Sequence, residues 1–124
     1  MSGILQIQHV SVIVADLPRA LHFYVDVLGL DVDATRPEMA FNGAWLKVGT
    51  QHIHLLQLPN PDPVSGRPPH AGRDRHTALL VSGLDELVER LERAAVSFTR
   101  SHSGRSAVFC RDPDCNAVEL IEAG

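Results

Sequence analysis

An internal repeat constrains the fold of this 124-residue chain more than any other feature of its sequence. The segment from His9 to Leu30 predicts a strand, a tight turn and a helix, and a similar segment begins at His76. The two segments are offset by 67 positions, and the last predicted strands of the two copies align at an offset of 65. Self-similarity at a fixed period indicates two copies of one supersecondary unit.

The first copy shows a strand period followed by a helix period. Residues 7–14 alternate β-branched side chains, as a half-buried strand does. Asp16 is a favourable N-cap, and apolar residues then recur at helical spacing from Leu17 to Leu28. Three further strands are predicted, at residues 30–35, 44–48 and 52–58.

The second copy repeats this order. Ser82 and Asp85 resemble a capping box before a helix whose apolar stripe extends from Leu84 to Ala95. The strands of this copy are predicted at residues 76–82, 97–101, 106–111 and 117–122. We therefore expect an α+β fold of two tandem βαβββ modules, residues 1–58 and 76–124, in one domain that spans residues 1–124.

Residues 59–75 separate the two modules and contain five of the eight prolines. Such a composition predicts a linker or a loop folded over a surface rather than a helix or strand. A loop of this length in a compact domain is often functional.

Charge and apolar pattern exclude several classes of function. The net charge of −4 argues against a nucleic-acid partner, since such proteins usually present a basic face. No apolar run reaches the roughly 18 residues of a membrane span, and no signal peptide is visible. With only Cys110 and Cys115, no disulfide framework is expected, and the cytoplasm is the predicted location.

Four polar residues occupy matching places in the repeat: His9 and His54 in the first and last strands of one module, His76 and Glu119 in those of the other. Duplicated modules pack about a pseudo-twofold axis, so we expect these four side chains to converge there, and the sequence leaves open whether the modules pair within one chain or are swapped between two. Three imidazoles and a carboxylate suit a divalent ion such as Zn, Fe, Ni, Co or Mn. The sequence thus predicts a metal site in which Glu119 is also the catalytic residue.

Each of these residues also has a structural interpretation. A single strand histidine is more often structural than a ligand, and His52 shares a face with His54 and could replace it. Other histidines, His22, His70 and His102, are expected on the surface. Arginines near the ends of the site strands either clamp an anionic substrate or lie solvated: Arg73, Arg75, Arg105 and Arg111.

Three stretches of the sequence resemble the vicinal oxygen chelate superfamily, which includes glyoxalase I, fosfomycin-resistance thiol transferases, bleomycin-resistance proteins, methylmalonyl-CoA epimerase and extradiol dioxygenases. They are His9–Leu17, Phe23–Leu30 and Arg111–Leu120. The resemblance covers essentially the whole chain. It implies curved mixed sheets around a metal cavity, commonly in a homodimer, with His9, His76 and Glu119 as metal ligands.

Two positions depart from the family pattern. His54 stands where glyoxalase I has a glutamate that transfers a proton, which puts the isomerase activity in doubt. Cys115 stands where the family usually has glycine, so a positive φ there would bring mild strain.

The resemblance implies a divalent-metal-dependent lyase, isomerase or transferase that chelates two neighbouring oxygens of a small molecule. The alternatives are a small Fe(II) extradiol-type dioxygenase, which the 2-His-1-carboxylate set would suit, and a metal-free protein that binds a drug or another small molecule.

Overall fold

The computed structural model describes all 124 residues and shows the repeat as two sheets of four strands. The strands are β1 (His9–Val14), β2 (Asp31–Val32), β3 (Gly43–Val48), β4 (Gln51–Gln57), β5 (His76–Val81), β6 (Phe98–Arg100), β7 (Ala107–Arg111) and β8 (Ala117–Glu122). The first sheet has the order β1-β4-β3-β2 and the second β5-β8-β7-β6. In each sheet the first and last strands of the module pair in parallel and the others antiparallel. The predicted fold class is confirmed.

One apolar core lies between the two modules. It contains the helix-facing side chains of both sheets, among them Val14 and Leu55 from the first and Val108 and Leu120 from the second. Both helical segments contribute to the same core. Because side chains alternate across a strand, the residues at the intervening positions face away from this shared core.

The first helical segment begins as predicted but changes its geometry. Asp16 accepts a hydrogen bond from the amide of Arg19, and Pro18 lies in the first turn of α1 (Leu17–Leu21). The chain then continues as a π-helix over His22–Val27. Phe23, Tyr24 and Val27 of this segment are buried in the core, and a π-helical segment of this kind within a helix is rare.

The second helix, α2 (Leu84–Arg93), buries Leu84, Leu87, Val88 and Leu91 as predicted. The prediction is wrong for Ala95, which lies beyond the end of the helix, exposed and with φ 56°. The predicted capping box of Ser82 and Asp85 is wrong. Gly83 occupies the N-cap with φ 71°, and the carboxylate of Glu122 accepts a hydrogen bond from the amide of Leu84 at 3.3 Å. The carboxylate of Glu122 in β8 therefore caps the start of α2 in place of Ser82. A local sequence pattern cannot reveal a contact with so distant a residue.

The linker folds back over the second sheet. Its 3₁₀ turn, Ala71–Arg73, places Ala71 against Phe109 and Ala117 in a small apolar cluster. Phe109 and Ala117 belong to the sheet face that points away from the shared core. None of the helices has the length and apolarity that crossing a membrane requires.

Candidate functional site

His9 and His54 lie on the outward face of the first sheet, and we call them the first half-site. Their rings stack with centroids 3.9 Å apart and an angle of 15° between planes. On its other side His54 stacks on Trp45, at 4.6 Å and 9°. Burial is the main cause that lowers the pKa of His54, followed by the charges of His9, His52 and Arg36. The His54 imidazole is therefore neutral at pH 7 and held flat between two rings.

His76 and Glu119 form the second half-site, on the outward face of the second sheet. The Nε2 atom of His76 lies 3.2 Å from Oε1 of Glu119. The Nδ1 atom of His76 bonds the carbonyl oxygen of Asp74 at 2.9 Å. Glu119 is 2% exposed, and Arg105 donates to its other oxygen at 3.3 Å.

The four side chains do not converge within one chain, which is one of the two arrangements that the sequence left open. No group of three or more histidine, cysteine, aspartate or glutamate residues is close enough together to hold a metal ion. The shared core explains this, because both helix-facing sheet surfaces pack against it and the two half-sites point away from it. The sequence correctly pairs the residues by strand, but it does not show which sheet face meets the other module.

His52 is held by another partner. Its Nε2 atom bonds Asp33 at 2.9 Å, and its ring centroid lies 5.8 Å from that of His54. Hydrogen bonds from Thr35, followed by the one from His52, lower the pKa of Asp33 to about 2. Asp33 is thus an acceptor, and His52 carries its proton on Nε2. The Nδ1 atom of His52 is buried without a partner.

The predicted substrate-binding arginines have different surroundings. Arg105 contacts Glu119, whereas Arg75 forms an exposed ion pair with Asp62 at 2.6 Å. Arg73 belongs to none of the ion pairs of the chain. Arg111 is structural, because it bonds Asp74 and two backbone carbonyls. Of these side chains, only Arg105 reaches a predicted ligand.

Of the other histidines expected on the surface, His102 is exposed as predicted, whereas His70 is partly buried beside the second half-site. His70 and His102 stack at 4.3 Å, and His70 meets the Phe109 ring edge-on at 5.0 Å. His76 meets the same ring at 5.1 Å. Both new residues lie in loops without periodicity, so no local pattern could have indicated this contact. His22, in contrast, pairs with Asp26 on the exposed helix surface.

Comparison with known proteins is consistent with this geometry. The sequence matches the family described as Glyoxalase/Bleomycin resistance protein/Dioxygenase superfamily over residues 6–120. The chain belongs to this superfamily, and the resemblance inferred from its motifs is confirmed.

Individual relatives cover most of the chain. Glyoxylase I 4 of Arabidopsis thaliana is 28% identical over 120 residues, which cover 92% of this chain and 68% of the relative. A mutant of FosX, a fosfomycin resistance protein of Listeria monocytogenes solved with Mn(II) and 1S,2S-dihydroxypropylphosphonic acid, has TM-score 0.78 and 16% identity, covering 98% of this chain and 95% of its own. TnmS3, an antibiotic binding protein of Streptomyces sp. CB03234, has TM-score 0.71 and 25% identity with full coverage of both chains.

Proposed function

We propose that this protein is a divalent-metal-dependent enzyme of the superfamily, which binds two neighbouring oxygens of a small molecule at a metal held between two copies of the chain. The ligands are His9 and His54 from one protomer and His76 and Glu119 from its partner. The observation that carries the proposal is the contact between His76 and Glu119.

That contact fits a shared cation. A carbonyl oxygen can only accept, so the bond to Asp74 places the ring proton of His76 on Nδ1. A neutral His76 then directs the lone pair of Nε2 at a carboxylate oxygen 3.2 Å away. Two ligand atoms of one metal ion are separated by about 3.0–3.4 Å when each bond is about 2.1 Å long. The bond to a backbone carbonyl is also the usual device that orients a ligating imidazole.

The first half-site has matching chemistry. The Nδ1 atom of His9 bonds the side-chain oxygen of Gln8, which leaves Nε2 of His9 as the open nitrogen. The lowered pKa of His54 keeps that imidazole unprotonated, the form in which it binds metals. Nitrogen donors and one carboxylate suit Zn, Fe, Ni, Co and Mn alike, so the donor set fits the group without selecting the ion.

A second copy of the chain would complete the site. Leu80, on the same sheet face as His76, is 76% exposed, and Ile7 next to the first half-site is 65% exposed. Both line one cleft of about 580 Å³. Exposed apolar side chains next to half of a ligand set favour coverage by another protein surface. A symmetric dimer that joins a first half-site to a second half-site would make two sites.

The residues of the chain have separable roles. A bound divalent ion supplies positive charge beside the substrate oxygens and stabilises negative charge that develops there. Glu119 holds the ion from a buried position, and Arg105 keeps its other oxygen in place. His54 replaces the carboxylate that would otherwise carry a proton, so we expect a reaction other than the glyoxalase I isomerisation. Free thiols at Cys110 and Cys115 support a reducing cytoplasmic location.

Trp45 is the only tryptophan of the chain, and its contact with His54 gives a direct test. We expect Ni²⁺ or Co²⁺ to quench Trp45 fluorescence with one ion bound per chain. His76→Ala should abolish this stoichiometric binding, because it removes a ligand of the second half-site. His22→Ala removes an exposed histidine and serves as the matched control. Unchanged metal content in His76→Ala by elemental analysis would refute the site.

A metal-free binding protein is the second candidate. The similarity to TnmS3 and the aromatic surface formed by Trp45 and the histidine rings support it. It differs from the enzyme in one measurable property: purified protein would neither retain nor take up a divalent metal. Oxygen consumption that depends on Fe²⁺ would instead indicate the dioxygenase branch of the superfamily.

A further inference from the structure

A small pocket adjoins the first half-site and extends from it into the loop that follows β2. It encloses about 190 Å³ between the first sheet and the loop that joins β2 to β3. We call it the β2–β3 pocket, and its main lining side chains are Ser11, Arg36, Met39, Phe41, Trp45 and His54. Because His54 forms part of the wall, the pocket opens next to the predicted metal ligands.

The walls suit a flat apolar group. Trp45 stacks on His54, which fixes the orientation of both rings. Phe41 and Met39 come from the loop on the other side. Complete ligand sites usually enclose about 300–1,000 Å³, so this pocket would hold one ring-sized part of a substrate rather than a whole ligand.

Arg36 brings a positive charge into the pocket. Its guanidinium lies 5.6 Å from the Phe41 ring centroid and donates one hydrogen bond, of 2.9 Å, to the Phe41 carbonyl. The side chain is partly buried, and none of the ion pairs of the chain includes it. A guanidinium has five N–H donors, so most of its donor capacity remains for a ligand.

Gly43, at the start of β3, leaves room for the Arg36 side chain beside the sheet. A Cβ atom at Gly43 would lie 3.0 Å from an Arg36 nitrogen and 2.4 Å from the Leu55 carbonyl oxygen. Glycine at position 43 therefore allows the loop arginine to approach the sheet closely. The pocket combines an unpaired cation with aromatic walls, an arrangement that favours an apolar acid over a neutral apolar molecule.

We propose that the substrate carries a planar apolar group ending in a carboxylate or a similar acid, and that the β2–β3 pocket binds this group with Arg36 pairing the acid. The inference deepens the proposed function, because it places this group beside the oxygens that the metal would chelate. Binding of the acid itself requires only the first module.

The test uses 4-fluorobenzoate as the probe and ¹⁹F NMR as the readout, on the intact 124-residue chain stripped of metal with a chelating resin. We expect saturable binding that Arg36→Gln weakens at least about tenfold and Arg36→Lys weakens less, since lysine keeps the charge but loses the bidentate fork. Arg100→Gln is the matched control, because the Arg100 guanidinium lies 5.7 Å from the Phe98 ring in the other module. Neutral 4-fluorobenzyl alcohol should bind at least about tenfold more weakly than the acid.

The inference is overturned if wild-type protein shows no saturable binding, if Arg36→Gln binds the acid as well as wild type, or if the alcohol binds as well as the acid. Should Arg36→Gln fail to fold, Arg36→Lys and the comparison of acid with alcohol still decide the matter. The experiment contains no metal, so its failure is distinguishable from a failure of metal uptake.

Discussion

Cys115 adopts a left-handed backbone conformation, with φ 67°, in the tight turn between β7 and β8. Its amide donates to the carbonyl oxygen of Asp112, and its own carbonyl accepts from Arg111. A side chain in this conformation costs about 1–2 kcal/mol relative to glycine. The turn is thus held in shape by contacts that do not need a side chain at position 115. Mild strain was expected at Cys115 if it took a positive φ, and it does take one.

We expect Cys115→Gly to raise the free energy of unfolding by about 0.5 kcal/mol. The relief of backbone strain exceeds the additional entropy that glycine gains in the unfolded chain, which is about 0.5–1 kcal/mol. Urea denaturation measures the difference. Ala34→Gly is the control: it lies in an exposed loop without positive φ and should lose stability. Equal shifts in the two variants would contradict a strained Cys115.

At the scale of elements, the carboxylate of Asp74 holds the linker over the second sheet through hydrogen bonds from Arg67 and Arg111. We call these three side chains the clasp. Asp74 accepts two hydrogen bonds from Arg67 and one from Arg111, each of 2.9 Å. Arg111 also donates to the carbonyl oxygen of Pro68 at 2.7 Å. The carbonyl of the same Asp74 orients His76. The clasp therefore connects the position of the linker with the geometry of the second half-site.

Asp74→Asn should lower the free energy of unfolding at pH 7 by about 1–2 kcal/mol, because it replaces charge-assisted hydrogen bonds by neutral ones. The two bonds from Arg67, followed by the one from Arg111, hold the pKa of Asp74 well below its usual value. The folded state then binds fewer protons than the unfolded state, whose aspartate has a pKa of about 3.9. This contribution is complete above that pKa and is lost as the pH falls below it.

Thermal unfolding at pH 7 and at pH 3 checks this prediction. The difference between wild type and Asp74→Asn should shrink at the lower pH. Asp62→Asn is the matched control, since it removes only the exposed pair with Arg75 and should change stability by less than about 0.5 kcal/mol. A pH-independent difference for Asp74→Asn would show that packing, rather than charge, holds the clasp.

The order of elements was predictable because it depends on local patterns. The strand and helix periods, the Asp16 cap and the apolar stripe of α2 are all visible within one module. The Glu122 cap was not predictable, since it depends on a contact with a distant segment, and the helical spacing did not indicate the change to a π-helix at His22. The same distinction holds for the site: pairing His76 with Glu119 follows from the repeat, whereas the contacts of His70 and Arg36 follow from how two loops fold over the sheets.

At the scale of the whole molecule, the shared core determines what a single chain can do. Both sheets cover the core with their helix-facing sides, so each half-site lies on the opposite face of its sheet, away from the core. In the proposed dimeric site, one chain would carry half of two sites rather than one complete site. The proposal therefore makes metal binding depend on association of two chains, and it predicts complementation between variants that are each inactive.

Two variants test that dependence: one carries His9→Ala and His54→Ala, the other His76→Ala and Glu119→Gln. Neither should bind stoichiometric Ni²⁺ alone, because each dimer of identical chains lacks one half of both sites. When equal amounts are refolded together, half of the dimers are mixed, and each mixed dimer has one intact site. Elemental analysis should then recover about a quarter of the wild-type metal content.

Leu80→Asp in both variants should prevent this recovery, because it places a charge in the apolar surface that the second copy would cover. Val64→Asp changes another exposed apolar residue, in the linker, and should leave the recovery of metal binding unchanged. If each chain instead assembled its own site, the mixture would bind no more metal than the separate variants. The recovered fraction thus decides whether the two half-sites meet across a dimer or whether one chain rearranges to bring them together.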